Sequence, residues 1–265
     1  MTALDTVFAS CREAGRAALI TYLPAGFPDN QTSREAMVGL VEAGADIVEV
    51  GIPYTDPLMD GPVIQDAADR ALEAGFRVRD LLGNVEAVAG AGGVPVVMSY
   101  WNPILRYGPE RFATDLAAAG GAGLITPDLI PDEAARWTAA AQAEGLAPIF
   151  LVAPSSTDAR LAMTTAACRG FVYAASTMGV TGTRTSVGGD ARALVERTRR
   201  TTDLPVCVGL GVSTGDQAAE VAAFADGVIV GSALVRALGE GTGARTDLGP
   251  LRDLTAELAA GVRRR

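Results

Sequence analysis

The chain has 265 residues, 49% apolar and 20% charged, with a formal net charge of −9. That composition describes a globular chain with a large core, excludes disorder, and points away from nucleic acid as a partner. It contains no histidine and no lysine, so all 22 basic residues are arginine. A Ser-His-Asp triad, a histidine metal site, a lysine Schiff base and a P-loop lysine are therefore all excluded.

Taken in chain order, the first stretch, residues 1–15, is amphipathic rather than apolar, so it does not read as a signal peptide, and Leu4–Ala14 predicts a helix. Short runs rich in Val, Ile and Leu then recur: Ala18–Leu23, Asp46–Gly51, Pro95–Tyr100, Gly123–Pro127, Pro148–Val152, Phe171–Ala175, Pro205–Leu210 and Gly227–Gly231. They show little alternation, as parallel strands buried on both faces do. Between the first two, Thr32-Ser-Arg-Glu35 reads as a capping box, followed by an apolar face at Met37, Leu40 and Val41 and a stop at Gly44. The gap from Gly61 to Val94 has room for two helices. Pro131-Asp-Glu133 opens another, which Gly145 closes, and Asp158–Ala167, Ala191–Arg199 and Asp216–Phe224 fill the next gaps. Ala233–Leu238 predicts a short extra helix and Leu251–Val262 a last one. Eight strands alternating with helices predict one (β/α)8 TIM barrel over residues 1–265, with an extra N-terminal helix and additional short helices. A doubly wound sheet is the alternative, but Pro24-Ala-Gly26-Phe-Pro28 after the first strand is not a dinucleotide fingerprint. Three widely spaced cysteines, Cys11, Cys168 and Cys207, argue against a disulfide framework and for a reducing, cytoplasmic setting. No apolar run is long enough for a membrane span.

In such a barrel the chemistry lies at the C-terminal strand ends. Glu49 falls late in the second strand, on the same face as Ile47 and Gly51. Facing the lumen it would have a raised pKa suited to proton transfer; the plainer reading is a glutamate paired with a nearby arginine. The loop after it, Pro53 to Pro62, holds three prolines with Asp56 and Asp60. Each aspartate alone is ordinary turn chemistry, but the loop can bring a second carboxylate over the Glu49 pocket. Glycines cluster after strands six, seven and eight, at Gly179-Val-Thr181-Gly182, Gly209-Leu-Gly211 and Gly231-Ser232, the last just before the short helix. Backbone N–H groups there predict a phosphate site that needs no lysine. Tyr22, Tyr100 and Tyr173 fall near strand ends, where they are core or line a flat apolar slot.

These residues resemble the tryptophan synthase α subunit family over nearly the whole chain. The motifs are Asp46-Ile-Val-Glu-Val-Gly-Ile-Pro-Tyr-Thr-Asp-Pro-Leu-Met-Asp-Gly-Pro62, Met98-Ser-Tyr-Trp-Asn-Pro103, Pro127-Asp-Leu129 and Ser176-Thr-Met-Gly-Val-Thr-Gly182. Ile130 and Met59 depart from the residues usual in that family. The resemblance implies cleavage of indole-3-glycerol phosphate to indole and glyceraldehyde 3-phosphate, with Glu49 and Asp60 as the catalytic pair. It also implies Tyr22, Met98, Tyr100 and Tyr173 around the indole, and Gly182, Gly211, Gly231 and Ser232 on the phosphate. It implies no cofactor in this chain and a tryptophan synthase β subunit as partner, carrying pyridoxal phosphate, in an α2β2 assembly. Asp56 and Thr181 would then serve loop closure and communication with that partner. A stand-alone lyase of the same chemistry and a non-catalytic phosphate-binding barrel are the competing expectations.

Overall fold

The computed structural model describes residues 2–175, 189–209, 211–240 and 247–264. Helix α1 (Ala3–Glu13) precedes β1 (Ala18–Pro24), α2 (Asn30–Glu42), β2 (Ile47–Gly51), α3 (Pro62–Glu73), α4 (Leu81–Gly90) and β3 (Val94–Met98). Then come α5 (Trp101–Tyr107), α6 (Pro109–Ala118), β4 (Gly123–Ile125), α7 (Ala135–Ala143), β5 (Ala147–Ile149) and β6 (Leu151–Val152). The chain continues as α8 (Asp158–Ala167), β7 (Val172–Ala175), α9 (Gly189–Arg199), β8 (Val206–Gly209), α10 (Gly215–Ala222), β9 (Gly227–Val230), α11 (Ser232–Glu240) and α12 (Gly249–Val262).

Neighbouring strands pair in parallel in the order β5-β4-β3-β2-β1-β9-β8-β7-β6. The two ends of that series, β5 and β6, are separated in the chain by Phe150 alone, so they fill one position and the chain itself completes the ring. All eight predicted strands are present, the fifth of them split. The split has a local cause. The Phe150 N–H goes to the Cys168 thiol sulfur at 3.4 Å, and its carbonyl accepts the Tyr173 N–H at 3.2 Å. Cys168 is buried, and burial pushes its thiol up to about 12. It is a structural thiol rather than a reactive one.

Both faces of each strand meet apolar neighbours. Ala18, Ile20, Ile47, Val96, Ile125, Ile149, Phe171, Cys207 and Ile229 fill the lumen, closed below by Leu4, Phe8 and Cys11 of α1. Leu19, Val48, Val50, Val97, Leu124, Val172 and Val228 face the outer helices, against side chains such as Met37 and Leu40 of α2. This two-sided burial is why the strand sequences do not alternate. Charged clamps fix the lower rim. Arg16 binds the Asp46 carboxylate through two N–H groups at 2.7 and 2.8 Å, and Asp46 also accepts the Leu19 N–H at 2.8 Å. Asp226 takes the Arg199 guanidinium at 2.8 Å and the Val206 N–H at 3.0 Å.

Several boundaries differ from the sequence expectation. Asp29, not Thr32, caps α2, accepting the N–H groups of Gln31 and Thr32 at 2.9 Å, so the helix starts a turn earlier than the Thr32–Glu35 pattern implies. The third strand ends at Met98 and the fourth at Ile125, before Tyr100 and Pro127. Pro131–Glu133 forms a 3-10 turn and α7 begins only at Ala135. Helices α5 and α6 were not expected. Their signal was present in Gly108-Pro109-Glu110 followed by Phe112, Ala113 and Leu116, a helix start with an apolar stripe.

Candidate active site

Strand β2 places Glu49 at the level of Tyr22 on β1 and Val96 on β3. Alternation turns it to the lumen, where it is 1% exposed. Neither carboxyl oxygen finds a hydrogen-bond partner among the described residues, and no described arginine pairs with it. Burial pushes the carboxyl from 4.5 up to about 8. Near neutral pH the group holds its proton and is a poised acid.

Two tyrosines lie across the strand mouths above it, and two glycines make room for them. A Cβ on Gly51 would stand 2.4 Å from the Tyr22 hydroxyl oxygen, and one on Gly209 would stand 2.5 Å from that of Tyr173. Only bare backbone lets the two rings lie there. Burial pushes both phenols well up. The Asp60 and Glu49 charges add to the effect at Tyr22, and those of Glu49, Cys207 and Asp60 at Tyr173. Both carboxyl groups therefore act on the same two phenols. Met98 ends β3, half-buried, in register with Gly51 and Ile125.

Asp60 closes the loop that follows β2, just before Pro62 starts α3. Its Oδ1 accepts the Tyr100 hydroxyl at 3.0 Å, while the Met59 N–H donates to that same hydroxyl at 3.1 Å. Gln65 Nε2 donates to the Asp60 carbonyl at 2.7 Å and holds the loop end to α3. Burial raises the Asp60 carboxyl and the Tyr100 bond draws it the other way. Asp56, in contrast, is exposed and accepts the Thr55 hydroxyl at 2.5 Å.

At the same C-terminal rim, Gly209 ends β8 and Gly211 follows with φ +48°. Gly231 directly follows β9, and Ser232, buried, is the first residue of α11. The ends of the neighbouring strands β8 and β9 and the N-terminus of α11 therefore lie at this rim. Thr181 and Gly182 lie outside the described residues. Among the described residues no cluster of histidine, cysteine or acidic side chains is arranged to hold a metal ion, and no helix is long and apolar enough to cross a membrane.

Some residues around the site stand in the quoted motifs but carry no role assigned from the sequence. Both oxygens of Asp128 accept the Trp101 N–H, at 2.8 and 3.0 Å, and so fix the start of α5 next to Tyr100. Tyr54 lies against Tyr100 with ring centroids 5.5 Å apart and accepts a hydrogen bond from Asn102 Nδ2 at 3.1 Å. These links join residues far apart in the chain, and no local spacing announces them.

A ring of parallel strands with a buried carboxyl at its C-terminal mouth, unpaired among the described residues, defines an enzyme of the (β/α)8 barrel class. The family model for the tryptophan synthase alpha chain matches residues 8–262. The chain is 63% identical over 262 residues to the tryptophan synthase alpha chain of Mycobacterium avium, covering 99% of this chain and 95% of that one. It is 59% identical over 266 residues to that of Thermobifida fusca, covering 99% and 98%. A solved structure of tryptophan synthase from Mycobacterium tuberculosis superposes with a TM-score of 0.93 at 62% identity, covering 98% of each chain. The alpha subunit from Legionella pneumophila superposes with a TM-score of 0.90 at only 32% identity, covering 99% and 98%. The chain belongs to the tryptophan synthase alpha chain family.

Proposed function

We propose that Glu49 and Asp60 carry the chemistry of this chain, a lyase that cleaves indole-3-glycerol phosphate in tryptophan biosynthesis. The observation that carries the assignment is the isolation of Glu49, 1% exposed and without a hydrogen-bond partner among the described residues. Burying an unpaired carboxyl in a stable barrel is expensive, and proton transfer is the use that fits it.

A retro-aldol cleavage needs an electron sink. Without lysine the chain offers no iminium, so the substrate supplies its own. Protonated Glu49 gives its proton to indole C3, leaving a carboxylate and an iminium-like ring. The carboxylate then takes the proton of the C3′ hydroxyl. The C3–C3′ bond breaks, its electrons return to the ring, and the carbonyl of glyceraldehyde 3-phosphate forms. Glu49 ends protonated, as it began. Asp60 faces the ring N–H, where positive charge develops in the intermediate, and stabilises it. Tyr22, Met98, Tyr100 and Tyr173 wall the indole. The amides at Gly211, Gly231 and Ser232, with Gly182, hold the phosphate at the N-terminus of α11.

Indole is apolar and leaks through membranes, and its onward reaction with serine needs pyridoxal phosphate, which this chain has no lysine to hold. The β subunit of tryptophan synthase carries that cofactor and is the partner. The pair forms an α2β2 assembly in the cytoplasm, docked at the strand C-termini, with Asp56 and Thr181 in the loops that respond to docking. The whole chain acts as one catalytic domain. Incubation of the chain with indole-3-glycerol phosphate tests the activity: indole and glyceraldehyde 3-phosphate should appear in equal amounts. Binding without either product would leave only a phosphate-binding barrel.

A further inference from the structure

We propose that Tyr54 and Asn102 are positioning residues for Asp60, acting through Tyr100. The inference rests on the assignment of Asp60 as the charge-stabilising group. The loop from Pro53 to Asp60 touches Tyr100 at both of its ends. At one end the Tyr54 ring lies against the Tyr100 ring, 5.5 Å between centroids and tilted by 36°. At the other, the Met59 N–H and the Asp60 carboxylate both bond the Tyr100 hydroxyl, at 3.1 and 3.0 Å. Between these grips, Thr55, Asp56 and Leu58 are exposed, Leu58 at 76%. The loop is therefore a clasp closed around one buried ring, and its middle contributes little to where Asp60 sits.

The Asn102 amide completes the arrangement by donating to the Tyr54 hydroxyl at 3.1 Å. Asn102 lies in the first turn of α5, whose first N–H is held by Asp128. The clasp is thus tethered to the same short helix that follows Tyr100. An aromatic contact adds modestly to stability but fixes a ring rotamer, and a small error in a charged group near a reacting ring has a large kinetic effect. Tyr54 stands to set the rotamer of Tyr100, and with it the carboxylate of Asp60, without touching substrate.

The test compares Tyr54→Ala, Tyr100→Phe, the double variant and Asp60→Asn, each with saturating β subunit, reading kcat and KM for indole release. Tyr54→Ala should lower kcat about 10-fold with KM within about twofold, as misplacement of a charge-stabilising group does. The double variant should turn over no more slowly than Tyr100→Phe alone, because both changes break one chain of contacts. Multiplying losses, an effect confined to KM, or a full kcat in Tyr54→Ala would overturn the positioning role while Asp60→Asn stays slow. A fast Asp60→Asn would instead remove the assignment of Asp60, and the positioning role with it.

Discussion

Replacing Glu49 with glutamine removes an ionisation that the fold opposes, so the variant should lose turnover and gain stability in one pH range. The folded carboxyl sits at about 8 against an ordinary 4.5, with burial as the cause. Between those values the folded chain holds a proton that the unfolded chain has released. Stability therefore falls as pH rises through this window. The penalty is absent below about pH 4.5, where both states are protonated, and complete above about pH 8. At full extent it is roughly 3–5 kcal/mol. Glutamine is neutral throughout, so the variant escapes the penalty. For a chain of this size that means a melting-temperature gap over the parent that widens by roughly 10 °C between pH 5 and pH 9. Calorimetry of both proteins at the two pH values reads it directly, and taking the gap cancels every other titrating group. In parallel, turnover of Glu49→Gln should fall at least about 10²-fold with substrate affinity largely kept. A gap that stays constant with pH would refute the burial argument for the proton on Glu49, whatever the activity.

The same proton predicts the pH profile: kcat/KM should fall as pH rises through about 8, because the first step needs protonated Glu49, and a profile flat to pH 10 would contradict that order of steps. Asp60→Asn should lower kcat roughly 10²-fold, and a change in KM alone would make Asp60 a loop anchor. At Gly211 a β-branched residue meets the left-handed backbone conformation at φ +48°, so Gly211→Val should raise KM for the phosphorylated substrate, measured by initial rates. Asp56→Ala, changing an exposed residue without an assigned chemical step, should keep most of the slow basal rate and lose much of the acceleration by β subunit; equal fractional losses in both conditions would place it in the chemistry or the fold.

What the sequence made legible follows from what is local. Strand positions were readable because burial on both faces writes continuous apolar runs, and Glu49 stood out as a charge inside one of them. The true cap of α2 was hidden because Thr32 and Glu35 satisfy a capping pattern while Asp29, three residues earlier, takes the free N–H groups. The break at Phe150 depends on the thiol of Cys168, eighteen positions away. The space that Gly51 gives Tyr22 and Gly209 gives Tyr173 is set by register between neighbouring strands, which no single-strand pattern contains. Likewise the clasp on Tyr100 joins residues separated by 40 to 48 positions.

The most direct test of the central claim is a single-turnover experiment with enzyme in excess over indole-3-glycerol phosphate and saturating β subunit, comparing the parent chain with Glu49→Gln. If Glu49 moves the proton, both proteins bind the substrate, the parent releases one indole per substrate, and the variant releases it at least about 10²-fold more slowly. Indole release at the parent rate by Glu49→Gln would contradict the assignment of the buried carboxyl as the acid and base of this reaction.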